Sequence, residues 1–402
     1  MNLKLQFGFG MMDHSRNLID SWGGGNVILS PRDLTCEQLE RFSSDIRGLR
    51  GGSVWLDPQF YVPRADHERL CSHDYWPSDF ETGIFWQGAN LQRLIQKLDE
   101  LNTKLKSAAF VLPGMLAKPI DEDWFVAQEA VIEEARTIKS GRPLICTIAL
   151  SDDAVKDVSQ VGELLERAET WKVDGFYVVA QHPSDAYLVS DPIWLANLID
   201  LCAGLRLLRK SVTLGYCNHQ MLIASVAKVS AISSGTWMNV RTFPPDKFIV
   251  PVDDEIRQRT KWYYCPQALS EYKIPFLDVA QRQGILESMK PDPALGSQYA
   301  DILFTGVQPT TVKAFSEQSA FRHYLHCLHS QSRGSSKSTF QETVDSQRFS
   351  LDAAEKLLAT LRSKGVFGGM RDYSDALDAS RSAIQVIISL RGPVLSRAWS
   401  TL

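Results

Sequence analysis

The chain has 402 residues, 44% of them apolar and 22% charged, with a net charge of −4, which is ordinary for a globular protein. Nothing in that balance gives a global field for a polyanion, so tight nucleic-acid binding needs a local basic face. Seven scattered cysteines without a CxxC exclude a disulfide framework and a zinc ribbon, and no signal peptide or bilayer-length apolar run is found, so a cytoplasmic protein without a membrane partner is expected.

Short apolar runs alternate with amphipathic stretches along the chain. NVILSP (26–31) predicts a strand, and TCEQLERFSSDIRGL a helix with Thr35 as N-cap and Gln38 as its capping-box partner. SVWLDP (53–58) predicts the next strand, followed by a polar, aromatic-rich loop. GIFWQ (83–87) predicts a third strand before a helix whose Leu91, Leu94, Ile95, Leu98 and Leu101 fall at helical spacing. AAFVLPG (108–114) precedes a helix with an acidic first turn, suited to the helix dipole. PLICTIAL (143–150) and DGFYVVAQ (174–181) are each followed by a helical stretch. SVTLGY (211–216), a helix over 220–229 and SAISS (230–234) complete eight strands.

Strands alternating with helices argue for a parallel sheet, and nearly continuous apolar strands such as LICTIAL argue that both sheet faces are covered. The economical solution within about 250 residues is an α/β fold of the (β/α)8 TIM-barrel type. A doubly wound open sheet is the alternative, but no GxGxxG or GxxxxGK[ST] follows a strand to support its nucleotide-binding versions. Residues 1–250 are therefore assigned to the barrel. Residues 251–402 form an irregular segment and a helical addition packed on it, with helices near 311–330, 351–364 and 374–390. The Ser-rich SQSRGSSKS (330–338) reads as a loop.

Barrel active sites lie beyond the strand C-termini. Asp57, at the end of its strand in LDPQFY, can act as a general base or hold an amidine-type N–H; it can equally be a turn-initiating Asp before Pro. Arg32 in SPRD can face an anion or pair with Asp33. Gln181 and His182 end another strand, where they can meet a base edge; His182 can also be a satisfied core residue. In SSGTWMNVR (233–241), Gly235 admits backbone close to a ligand, Trp237 offers a stacking face, and Asn239 and Arg241 offer directional donors; the plain alternative is a turn with a core Trp. Residues 201–245 contain no Asp or Glu, so the last two strands offer no carboxylate. His323, His326, Cys327 and His329 crowd one helix, and metal binding there needs a distant ligand such as Cys265.

With these residues in place, the barrel resembles the tRNA-guanine transglycosylases and their relatives, which exchange or insert 7-deazaguanine bases of the queuosine type. The stretch GYCNHQMLIASVAKVSAISSGTWMNVR (215–241) is similar to that family's Gly-led loop, helix, strand and following site loop, and LDPQFY to the segment carrying its Asp base. The resemblance spans roughly 26–241. It implies catalytic roles for Asp57 and Ser234, and base contacts from Arg32, Phe60, Gln181, His182, Asn218, Gly235, Trp237, Asn239 and Arg241. The departures are as informative. Ser234 stands where the family places its nucleophilic Asp, Pro113 and Gly114 replace a pocket Asp, and the zinc motif is reduced to Cys265, so no cofactor is expected.

Divergent barrels of this kind occur in bacterial antiviral islands. The resemblance therefore implies a defence protein that binds a 7-deazaguanine-type base or transfers it to a macromolecular acceptor, either nucleic acid or, in keeping with the mild acidity, a partner protein. Three readings stay open. One is a base-transferring enzyme of the glycosyltransferase type, another its DNA-modifying version, and the third a non-catalytic binding barrel that has lost the nucleophile.

Overall fold

The computed structural model describes residues 1–65, 67–77, 85–138, 141–249 and 260–402. The chain is α/β. Its first half alternates β1 (Asn2–Gln6), α1 (Met11–Trp22), β2 (Gly25–Leu29), α2 (Cys36–Gly48), β3 (Gly52–Leu56), the short α3 (Glu68–Cys71), α4 (Gly88–Leu105), β4 (Phe110–Val111), β5 (Leu116–Ala117) and α5 (Glu122–Thr137). There follow β6 (Leu144–Leu150), α6 (Asp152–Lys156), α7 (Val158–Ala168), β7 (Gly175–Ala180), α8 (Pro192–Leu207), β8 (Ser211–Leu214) and β9 (Ala231–Ser234). Beyond 260 come β10 (Trp262–Cys265), β11 (Ser270–Lys273), α9 (Ile274–Arg282), α10 (Glu317–Ser335), α11 (Phe340–Ser363), α12 (Leu377–Leu390) and α13 (Gly392–Ala398).

Eight strands form one curled parallel sheet in the order β3-β2-β1-β9-β8-β7-β6-β4, and β5 adds to β6 beyond β4. From β1 to β3 and from β6 to β9 each strand lies beside its neighbour in sequence, and β9 returns to pair with β1, setting Leu5 opposite Ser234. The Ala108 N–H, two residues before β4, bonds the Val54 carbonyl of β3 at 2.9 Å. An order without reversal has no switch point of the doubly wound kind.

The N-terminal strand and helix lie upstream of the elements expected from sequence. β1 supplies the eighth strand in place of GIFWQ, of which 83–84 fall outside the described residues and 85–87 turn into α4. Phe85 is buried, but in an aromatic cluster with Phe60 and Trp86 rather than in a ladder. An apolar run shows burial without showing which partner buries it. The Thr35–Gln38 capping box forms as expected. The helix expected over 220–229 is a 3-10 run, His219–Ala227, capped by Asn218. Residues 330–335 continue α10 instead of forming a loop, and the irregular chain expected after 260 holds the antiparallel β10–β11 hairpin.

α8 shows why the C-terminal helices are needed. Its sequence is apolar around its whole circumference, and Trp194, Leu195, Leu198, Ile199, Leu201, Cys202 and Leu205 are all buried. Such a helix requires cover on both sides. β7 and β8 line one side and α12 packs along the other, with Arg391 closing on Asp200 at 2.8 Å.

Candidate functional site

Asp57 directly follows β3 and is fully buried. Its carboxylate accepts hydrogen bonds from the Tyr61 hydroxyl at 2.9 and 2.8 Å, the Tyr216 hydroxyl at 2.9 Å and the Gln59 N–H at 2.9 Å. Tyr177 on β7 stands at 3.4 Å from Oδ2 and gives its better bond, 2.9 Å, to the side-chain oxygen of Gln6 at the end of β1. Ser233 also donates to Gln6, at 2.8 Å. Side chains from β1, β7, β9 and the turns after β3 and β8 therefore converge on one polar layer at the C-terminal ends of the strands.

That layer is held under local strain. Gln59 and Tyr216, both bonded to Asp57 or its partners, adopt φ of 54° and 53°, the left-handed region that bulky L residues rarely occupy. Gly215 allows the fit, because a Cβ there would stand 2.6 Å from the Tyr177 ring. Burial pushes the Asp57 carboxyl up to about 6, against the opposing effect of its hydrogen bonds and of Lys247.

The loop after β9 seals this layer. Phe243 and Phe248 each set a ring 4.8 Å from Tyr61, and Lys247 places its ammonium 4.0 Å above the Tyr216 ring while bonding the Asn239 carbonyl. Burial, with the nearby Arg32 charge, drives the Lys247 ammonium well below its ordinary value.

A second polar cluster lies at the far end of the same loop. Arg241 is buried, donates through Nε to the Gly235 carbonyl at 2.9 Å, and pairs with Glu271 of β11 at 3.2 Å. Glu271 also takes Arg371 at 2.8 Å and the Tyr187 hydroxyl at 2.6 Å. Burial alone would raise the Glu271 carboxyl, but Arg371 and Arg241 hold it down at about 2. The Arg241 guanidinium lies 3.4 Å over the Tyr324 ring of α10. This cluster floors a cavity of about 400 Å³ whose walls include Trp237, Trp262 and Phe321. Thr236 Oγ1 is buried there without a hydrogen-bond partner. Tyr324 Oη, near the hydroxyls of Tyr187 and Ser234, makes no hydrogen bond of good geometry.

The residues expected from sequence divide between these places. Arg32 joins the sealed layer's rim: its backbone N–H meets Gln59 at 2.8 Å, and its side chain pairs with Asp33 and the Lys247 carbonyl. Phe60 packs edge-on against Trp76 and Phe85, outside the polar layer. Trp237 and Arg241 border the cavity, the Gly235 carbonyl accepts from the Arg241 Nε, and Ser234 is buried near Tyr324 with its hydroxyl in no hydrogen bond of good geometry. Trp237 is itself anchored by a bond to the Phe9 carbonyl at 3.1 Å, and the Asn239 side-chain oxygen has no partner. His182 turns to the Ala186 carbonyl at 2.8 Å and packs on Trp194, whose indole bonds the Gln181 carbonyl. Asn218 caps Gln220 and donates to the Tyr187 carbonyl at 2.5 Å. Glu271, Arg371, Tyr324 and Lys247 were not foreseen. The alternation of WYYC and SEYK across a short turn is the signal that could have exposed the hairpin carrying Glu271.

Both nitrogens of His323 are engaged, at 2.8 Å each, with Ser297 and the Tyr264 carbonyl; Cys327 stands 3.6 Å from Nδ1, and Cys265 faces the Met289 carbonyl. Among the described residues no His, Cys, Asp and Glu side chains gather in a metal-holding group, and no helix is long and apolar enough to cross a membrane. In comparisons with known proteins, the chain matches no protein-family model and no curated protein.

Proposed function

We propose that the chain is a transglycosylase-like (β/α)8 barrel, closing where Ala108 meets Val54, and that it binds a 7-deazaguanine-type base without exchanging it by carboxylate attack. The observation that carries this reading is the cavity beyond β9. It offers flat faces from Trp237, Trp262 and Phe321 beside a buried Arg241–Glu271 pair, the unpartnered hydroxyl of Thr236 and the Tyr324 hydroxyl. A planar base with several edge donors and acceptors matches that mixture of stacking surface and hydrogen-bonding groups. Base exchange is disfavoured because Ser234 bonds no base or acid, whereas attack on an anomeric carbon needs an activated nucleophile.

Titration with 7-deazaguanine is expected to quench tryptophan fluorescence saturably, with Trp237 and Trp262 reporting from the cavity wall. Thr236→Val, which removes one edge partner at nearly constant volume, is expected to weaken binding about tenfold. Absence of saturable quenching, or an unchanged affinity in Thr236→Val, overturns the reading.

A second reading places Asp57, raised to about 6 among Tyr61, Tyr177 and Tyr216 at the strand ends, as a proton acceptor in base transfer, and it requires the loop after β9 to move off that layer. Transfer of a labelled base to tRNA or DNA that disappears in Asp57→Asn decides for it.

A further inference from the structure

A separate cavity of about 390 Å³ lies between the His219–Ala227 turn, the hairpin turn after β10, and the facing sides of α10 and α11. His219 borders it with 1% of its surface exposed; its ring lies beside the Leu269 backbone, which favours the protonated form, and neither ring nitrogen makes a hydrogen bond of good geometry. The ring is fixed by its neighbours, with Tyr264 at 4.9 Å and Tyr187, Tyr324 and Tyr373 at 6.0 Å. Burial lowers its pKa to about 4, so the imidazole is neutral and carries one N–H donor and one bare acceptor. A ring nitrogen left without a good partner inside a protein is destabilising, and a ligand group seated against the ring supplies that partner.

The rest of the lining defines the ligand. Leu222, Ile223, Leu269, Leu295 and Leu351 form an apolar body, and the polar part of the lining is mostly serine and glutamine side chains. Among the described lining residues there is no Lys or Arg, and the carboxylate of Asp292 is turned to the Ala294 N–H at 2.8 Å. A phosphate or carboxylate finds no counter-charge in such a cavity, whereas an uncharged body with one polar group meets both kinds of surface.

We infer that this cavity is a second small-molecule site, taking a neutral, mainly apolar ligand whose single hydroxyl, carbonyl or amide group hydrogen-bonds His219. The inference is independent of the base-binding reading, since it uses other residues and another ligand class.

The test uses the full chain with 2-naphthol, and naphthalene-2-sulfonate as the charged counterpart of the same shape, followed by saturation-transfer NMR and by the imidazole nitrogen shifts. The 2-naphthol is expected to bind saturably and to move the His219 nitrogen signals. Binding is expected to be about tenfold weaker in His219→Phe, which loses the hydrogen bond. Ser350→Trp, which fills the mouth from α11 without touching His219, is expected to abolish binding. Thr236→Val, in the other cavity, is expected to leave 2-naphthol affinity unchanged, so the two proposals fail separately. Equal affinity for the sulfonate, retained binding in Ser350→Trp, or no shift at His219 overturns the inference.

Discussion

Asp57→Asn is expected to be more stable than the natural chain at pH 8 and about equal to it near pH 4. The Asp57 carboxyl titrates at about 6 in the folded chain, because burial disfavours its charge more than the tyrosines and Lys247 favour it. In the unfolded chain an Asp titrates near about 4. The folded state therefore holds this proton more tightly. The group's stabilising contribution is whole below the unfolded value and is lost as pH rises through about 6. A difference of about two pH units corresponds to about 3 kcal/mol between those limits. Asparagine keeps an acceptor for the Tyr61 hydroxyl and the Gln59 N–H, carries no charge to desolvate, and should flatten this limb of the stability curve. Asp57→Ala behaves differently. It leaves the Tyr61 and Tyr216 hydroxyls and the Gln59 N–H without their acceptor, and should cost about 3–5 kcal/mol at pH 5, where the carboxyl it replaces is mostly neutral. At pH 8 the cost should shrink, because the natural chain then bears its own buried charge. Urea unfolding of the three proteins from pH 4 to 8 measures this directly, and parallel curves for Asp57→Asn and the natural chain would refute the buried-charge account.

The same layer shows what could be read along the chain and what could not. β6 and β7 were legible because LICTIAL and GFYVVA are nearly continuous in apolar residues, as strands covered on both faces must be. β1 was not, because Lys4 and Gln6 interrupt it. Gln6 is buried and bonds Tyr177 and Ser233, and Lys4 is half-buried with its nitrogen 2.7 Å above the Trp55 ring centre. A strand whose inward residues are polar looks half exposed. Asp57 was legible from its place at a strand end before Pro. The tyrosines that hold it lie 4, 120 and 159 residues away, and no local pattern announces such a convergence. The acid-free stretch over 201–245 is real, but the carboxylate that answers its Arg241 arrives from β11, 30 residues on, in a segment read as irregular.

That carboxylate, Glu271, governs the other large effect. Its side chain is 4% exposed and faces Arg241, itself 3% exposed, and Arg371. Glu271→Ala leaves a buried guanidinium without a counter-charge, for which a loss of about 3–5 kcal/mol is expected at pH 7. The sign with pH is opposite to that of Asp57. The two arginines hold the folded carboxyl at about 2, below the unfolded value of about 4, so its contribution is present above the unfolded value and is lost as pH falls through about 2. Glu271→Gln keeps an acceptor for Tyr187 and one arginine N–H, so it should destabilise less and lose the acid limb of the curve. Replacing the pair together, Arg241→Met with Glu271→Leu, should restore part of the loss because the fully buried guanidinium goes with its partner, leaving only the more exposed Arg371 without its counter-charge. The double variant separates stability from function. Arg241 lies against Tyr324 on the floor of the first cavity, so a well-folded double variant should still lose 7-deazaguanine binding. If Glu271→Ala unfolds at the same urea concentration as the natural chain, the ion pair does not hold this end of the sheet together. If the folded double variant binds the base unchanged, the cavity beyond β9 is not where the base sits.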